Sequence, residues 1–330
     1  MSICNSDVNG QTAEANPHAL LIRPRRVRIE FAPLSPGAPP NDFYDGDAAL
    51  TEVFHALSVH FPAGETFFID AVLKHSKFLK KKHPKLWEQV LLFCRQEAMH
   101  TAVHEQWDER AEREFGHPMA YLEQLTDLRL QVGPRRAPTL FQLATTACLE
   151  HFTAGLARVL LDSAAGDHVL RCMSEPFRSL WIWHAVEELE HKAVAFDVYH
   201  VIGARDYPSN SIAASIVGYF RRTFVMLVVA PMFLVRVSQA WWMLIRHRKL
   251  PVLQSIARLL RFLLWWPGLL TRFFPQWLRW FIPGYHPSKH TLDGRVVARH
   301  LAELESRKEP DGYYVFTTAP AKRPTESSRL

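Results

Sequence analysis

Between residues 45 and 205 apolar positions recur three and four apart, the period of amphipathic helices rather than the alternation of strands. A first helix is predicted after Asp45-Gly46-Asp47 and runs to about His60. Pro62 is poor inside a helix but good at a first helical position, so a second helix restarts there. It runs to Lys80-Lys81-Lys82, whose charges suit a helix C-terminus. Pro84 opens a long third helix through Glu97 and His100 to Phe115, ended by Gly116 and Pro118. Residues 116–137 carry Gly and Pro at both ends and read as a long crossover holding one short apolar helix. A helix follows from Thr139 to about Ala165, closed by Gly166-Asp167, and another from about His168 to Gly203.

Long helices in two hairpins, joined by one long connection, predict an all-α fold with the ferritin-like arrangement of the four-helix bundle. Residues 1–44 read as a partly disordered leader, basic at Arg23, Arg25, Arg26 and Arg28 and then proline-rich. Residues 45–205 form the expected bundle, 206–284 an apolar and basic helical extension, and 285–330 a short helix and polar tail. In the extension, the apolar run from Thr223 to Met243 is interrupted by Pro231 and Arg236, short of an uncharged span of about 20 residues. Leu259 to Ile282 is Leu, Phe and Trp studded with Arg261, Arg272 and Arg279.

The chain has 330 residues and a formal charge of +6. That excess is local: from Arg205 to Gly284 eleven Arg or Lys face one acid, Asp206, and the same stretch holds six of the ten tryptophans. Basic residues interleaved with aromatics fit a helix lying on an anionic membrane surface. They also fit a helical appendage packed over the bundle with arginines reaching for water. Nucleic acid is not an expected partner, because bulky Leu and Trp at this density suit lipid or core better than phosphate. Cys4, Cys94, Cys148 and Cys172 form no Cys-x-x-Cys pair, and no basic segment followed by an apolar one opens the chain. A reducing, cytoplasmic setting is expected, with peripheral or anchored attachment at an inner membrane compatible with the extension.

Four Glu-x-x-His pairs occur: Glu52/His55, Glu97/His100, Glu114/His117 and Glu188/His191. The spacing sets both side chains on one helix face, where they can meet one ion. Glu114/His117 straddles Gly116 and Glu52/His55 precedes the Pro62 break, whereas the other two lie mid-helix among apolar or small neighbours. Glu150 shares a face with Leu143, Thr146, Ala147, Ala154 and Ala157, and Glu65 with Phe68, Ile69 and Val72. An ionised carboxylate facing a core costs several kcal/mol unless something positive meets it. No Lys or Arg shares these faces at matching depth, so bound cations are the expected solution, and four carboxylates balance two divalent ions. The levels agree as well: Glu65 and Glu97 are centred on Lys81, and Glu150 and Glu188 on Val169.

His184, one turn before Glu188, reads either as a further ligand or as a hydrogen-bond partner of one. His104 and Glu187 are candidates for the shell around the ligands, against the alternatives of a core histidine and a solvent-facing acid. His151 is expected to pack between helices, and Glu190 and Lys192 to be outer-face charges.

Arg95-Gln-Glu-Ala-Met-His100, Leu149-Glu-His-Phe-Thr-Ala154 and Trp183-His-Ala-Val-Glu-Glu-Leu-Glu-His-Lys-Ala-Val-Ala-Phe-Asp197 resemble a bacterial family labelled predicted metal-dependent hydrolase, over roughly residues 45–290. The ligand pattern is also similar to ferritin-like di-iron oxygenases. Among these, arylamine N-oxygenases add a third histidine one turn before the last Glu-x-x-His, which His184 matches. The resemblance implies metal ligands Glu65, Glu97, His100, Glu150, His184, Glu188 and His191, holding two divalent ions, iron first and manganese or zinc as alternatives. Its first functional implication is O2-activating oxidation or N-oxygenation of a small apolar substrate, fed by an external electron donor. The alternatives are a two-metal hydrolase and a non-enzymatic metal-binding protein at a membrane. The chain lacks His-Glu-x-x-His, a helical His-Asp pair and a Gly-x-Ser-x-Gly elbow, which lowers hydrolysis. A homodimer is compatible with the sequence.

Overall fold

Asp47 starts the helical body by capping α1 (Ala48–Ser58), its carboxylate accepting from the Leu50 N–H. Pro62 lies in the first turn of α2 (Phe61–Leu73), where its missing N–H costs nothing. This computed structural model describes residues 20–33, 41–208, 211–289 and 293–317. The predicted second helix is in fact two, because the chain breaks at Lys74 and His75 before α3 (Ser76–Lys82). Pro84 opens α4 (Pro84–Phe115), and Gly116 closes it in the left-handed region at φ 66°. The crossover holds α5 (Met119–Val132).

α6 (Thr139–Leu161) is followed by α7 (Ala164–Arg171), capped by Ser163. The predicted last bundle helix starts later than expected. His168 belongs to α7, and Pro176 forces a new start, so the ligand-bearing helix is α8 (Phe177–His191), with α9 (Val194–Ala204) after a break at Lys192 and Ala193. From Leu180 to His191 every residue of α8 is buried, so this helix has no solvent face. α2 packs on α4 and α6 on α8, which brings four helices around one centre.

The leader and the tail meet in a two-stranded sheet that helical periodicity did not predict. β1 (Arg26–Glu30) runs parallel to β2 (Tyr313–Thr317), with Val27 opposite Tyr314 and Ile29 opposite Phe316. Val27 and Ile29 are buried while Arg26, Arg28 and Glu30 face out, the period-two alternation of a half-buried strand. β1 packs on α4 and β2 on α8, so part of the expected leader is built into the body; residues 1–19 and 34–40 lie outside the described residues.

Pro231 does not interrupt the extension: α10 (Ile212–His247) continues through it and lies against α6 and α1. Its 36 residues make it long and apolar enough to cross a membrane by length and composition. α11 (Val252–Leu260) and α12 (Leu269–Leu278) follow, joined through a wide turn at Arg261–Trp265. α12 approaches α6 at Gly155, where a Cβ would lie 2.6 Å from the Phe273 ring. α13 (Asp293–Glu305) packs on α8 and α6.

Candidate metal centre

Each of four helices delivers its predicted residues to one buried volume. α2 supplies Glu65, α4 supplies Glu97 and His100, α6 supplies Glu150, and α8 supplies His184, Glu188 and His191. All seven are buried. They divide into two halves. On one side His184 Nε2 is 4.0 Å and His100 Nδ1 3.9 Å from Glu65 Oε1. On the other, His191 Nε2 is 2.9 Å from Glu97 Oε1 and 3.3 Å from Glu150 Oε2. Glu188 faces both: Oε1 is 3.1 Å from His184 Nε2 and 3.9 Å from His100 Nδ1, and Oε2 is 3.7 Å from His191 Nε2.

The far nitrogens of His184 and His191 are hydrogen-bonded, and that of His100 faces a carboxylate without a hydrogen bond. His100 Nε2 lies 3.2 Å from Glu187 Oε2, so its Nδ1 is the atom left facing the other ligands. His191 Nδ1 donates to Gln96 Oε1 at 3.0 Å, freeing Nε2, and Gln96 Nε2 donates in turn to Glu190 at 2.8 Å. His184 Nδ1 lies 2.9 Å from His104 Nε2, His104 Nδ1 2.9 Å from Ser58 Oγ, and the Ser58 hydroxyl donates to Asp108 at 2.7 Å. A chain in which each member donates outward leaves His184 Nε2 unprotonated toward Glu188. Imidazoles that ligate metal are oriented through their second nitrogen in this way.

Arg25 anchors two of these supports at once. Its guanidinium donates to Glu187 at 3.0 Å and to Glu190 at 2.8 Å, and its backbone N–H also donates to Glu187. Glu190 is therefore not an outer-face charge, as its position suggested. It is buried because α8 is enclosed on all sides. Lys192 likewise pairs with Asp293 rather than standing free. Thr101 donates to Glu65 at 3.1 Å and Thr153 to Glu188. His151 bridges to the Tyr285 hydroxyl and the Gln276 carbonyl, between helices as expected.

The electrostatics describe a pocket short of positive charge. Burial pushes Glu65 and Glu97 well above the usual carboxylate range; Glu97 adds to the rise at Glu65, while His191 opposes it at Glu97. Burial raises Glu150 to about 7 against the pull of His191. Burial also disfavours charge on Glu188, but its close contacts with the imidazoles of His184 and His191 hold it well below the usual range. Burial would depress His191, yet Glu150 and Glu97 lift it well above the usual imidazole range. Both oxygens of Glu97 and of Glu150, Glu65 Oε1 and His100 Nδ1 have no hydrogen-bond partner despite full burial. Each such orphan costs about 1–3 kcal/mol, which a cation at the centre would remove. The donor set of oxygens and imidazole nitrogens fits two divalent transition-metal ions.

A second trio, Glu52, His55 and His117, combines parts of the two Glu-x-x-His pairs set aside by context. Trp107 Nε1 donates to His55 Nδ1 at 2.8 Å, so neutral His55 carries its proton on Nε2 and offers that nitrogen as a donor. Burial lowers His55 to about 4, keeping it neutral. Arg248 already pairs with Glu52 at 3.0 Å, and His117 Nε2 lies 3.0 Å from it, while Glu52 Oε2, His55 Nε2 and His117 Nδ1 have no hydrogen-bond partner.

An apolar cavity of about 250 Å³ reaches the centre at His184 and Glu188. Phe54, Phe61, Phe152 and Trp181 wall it, together with Leu and Val from α1, α6, α10 and α12. Phe61 stands 4.6 Å from the His184 ring and 4.5 Å from His104. Sequence reasoning missed Arg25, Gln96, Ser58 and Asp108. Gln96 beside Glu97, and a buried acid one turn beyond His104, were the local signals available.

The chain matches the family model described as predicted metal-dependent hydrolase over residues 23–291. That segment contains the seven candidate ligands and Arg25. Comparison with curated proteins and with solved structures gave no match. The description supports metal dependence, and it speaks for hydrolysis more directly than for the oxidation weighted first from the ligand pattern. Since the match spans most of the chain, this protein belongs to the family described as predicted metal-dependent hydrolase.

Proposed function

We propose that this chain is a dinuclear-metal enzyme that oxidises a small apolar substrate, with iron as the metal and an external electron donor. The observation that carries the metal reading is that three imidazoles, two of them hydrogen-bonded at the far nitrogen and the third facing Glu187 there, turn the other nitrogen toward four buried carboxylates. One Glu from each of α2 and α6 and Glu-x-x-His from each of α4 and α8 supports a ferritin-like four-helix bundle. One ion would be held by Glu65, His100 and His184, the other by Glu97, Glu150 and His191, with Glu188 between them. When bound, two iron ions would supply redox chemistry toward O2. The chain's own part is to hold the ligands, to exclude water with Phe61, Phe152 and Trp181, and to seat the substrate in the apolar cavity beside Glu188.

The family description favours a second reading, hydrolysis, in which the same two positions would serve to activate water. Anaerobic purification, metal analysis, reduction and admission of O2 separate the two. Two irons per chain with O2 uptake support oxidation. Two zinc ions with esterase or phosphodiesterase turnover and no O2 uptake would sink it.

A further inference from the structure

We propose that the outer faces of α10, α11 and α12 seat the protein on an anionic lipid bilayer, and that the cavity draws its substrate from that bilayer. The second clause rests on the proposed function; the first does not.

α10 is apolar on two opposite faces. Val225, Met226, Ala230, Trp241, Leu244 and Ile245 are buried against the body, while Phe220, Phe224, Leu227, Met232, Val235 and Trp242 are exposed. The buried face extends from Arg222 to Ile245, so protein accompanies the helix along most of its length. A helix held against the body along this length lies on a membrane rather than crossing it.

The neighbouring elements continue the patch. Leu253 is 84% exposed and Trp265 82%, joined by Leu264, Phe274 and Ile282. Exposed apolar side chains in this number mark an interaction site. Charge selects the occupant. Arg246, Lys249, Arg258 and Arg261 are exposed around the same helices, within the stretch that holds eleven basic residues and one acid. Tryptophan and leucine beside arginine and lysine suit the headgroup boundary of an anionic leaflet. A second copy of the chain would bring the same positive surface against itself.

The cavity opens into this patch. Its inner end is His184 and Glu188; its wall includes Leu234 and Ser238, which are exposed, and Leu259 and Leu263 from the segment after α10. A substrate dissolved in the outer acyl region would reach the centre without passing through water.

The test is flotation of the full chain with vesicles of phosphatidylcholine alone or mixed with phosphatidylglycerol, in metal-free and metal-loaded protein. Binding to the anionic vesicles, weakened by salt and reduced about tenfold or more by Leu253→Ser with Trp265→Ser, is expected in both forms. Absence of binding to anionic vesicles, or binding indifferent to those exposed substitutions, overturns the docking surface. So does a lipid-free dimer by light scattering that the same substitutions dissociate. For the cavity, a small uncharged aromatic fluorophore carried in the vesicles is the probe. Its uptake should be lost in Ala157→Phe and in Leu160→Trp, with flotation unchanged; uptake that persists in both removes the second clause. Metal content, read separately, tells failure of the centre from failure of docking.

Discussion

Arg25 Nη1 lies 3.0 Å from Glu187 Oε1, and the other oxygen of that carboxylate lies 3.2 Å from His100 Nε2. A residue just before β1 thus reaches a candidate ligand on α4 through a glutamate on α8. Removing one partner of a buried pair leaves an uncompensated charge, at a cost of about 3–5 kcal/mol. Arg25→Met should therefore lower stability and weaken metal binding by about 10–100-fold, the range for lost supporting partners of a ligand. Competition with a chromophoric chelator measures the affinity, and Arg25→Lys should recover part of it. Unchanged affinity in Arg25→Met would remove Arg25 from the support of the centre.

His104 and His184 are 2.9 Å apart but stand in different positions. His184 faces Glu188 and Glu65, whereas the polar contacts of His104 are with His184 and Ser58. His184→Ala is expected to lose at least one of the two metal ions. His104→Ala should keep two ions per chain and bind them about tenfold or more weakly. Metal stoichiometry after dialysis separates the two, and identical stoichiometry would show that His184 is not a ligand.

Much of this site was legible. Glu65, Glu97, His100, Glu150, Glu188 and His191 could be chosen because a carboxylate on an apolar helix face contradicts its surroundings. His184 followed from its one-turn spacing. The supports were less legible because they come from elsewhere in the chain. Arg25 lay in a basic, proline-rich stretch, and its strand pairs in parallel with residues 313–317 at the other end of the sequence. No local period announces so distant a partner. Glu190 was misread because a helical wheel assigns an outer face, and α8, enclosed all round, has none. The all-helical expectation agrees with the described residues, which add this small sheet.

The metal-free protein should carry a pH signature at Glu150. Its carboxyl, at about 4.5 ordinarily, is raised to about 7 by burial. A group raised on folding contributes stability that is fully present below about 4.5 and is lost as pH rises through about 7. Glu150→Gln has no such loss, so its stability relative to the wild type should grow between about pH 5 and about pH 8, by a few kcal/mol at most. With metal bound the order should reverse, because the variant lacks a ligand. Denaturant melts of both proteins at each pH measure this, and a difference that stays flat in the metal-free state would contradict the assignment.

Gly155 admits the Phe273 ring where α12 meets α6, and a Cβ there would sit 2.6 Å from it. Gly155→Ala should gain in helix propensity yet lose more to overpacking, for a net destabilisation of about 1–2 kcal/mol. Thermal denaturation gives the sign. A more stable variant would show that α12 can move away from α6 without cost.

Metal content is the most direct measurement of the central claim. Protein loaded anaerobically and freed of loose ions should hold two metal ions per chain. Glu97→Ala and Glu150→Ala should each lose the pair, because Glu97, Glu150 and His191 hold one position and Glu188 links it to the other. Glu114→Ala, whose largely buried carboxylate pairs with Arg110 at the C-terminal end of α4, should keep both. One ion or none in the wild type, or equal loss in Glu114→Ala, would contradict a two-metal centre built from these seven residues.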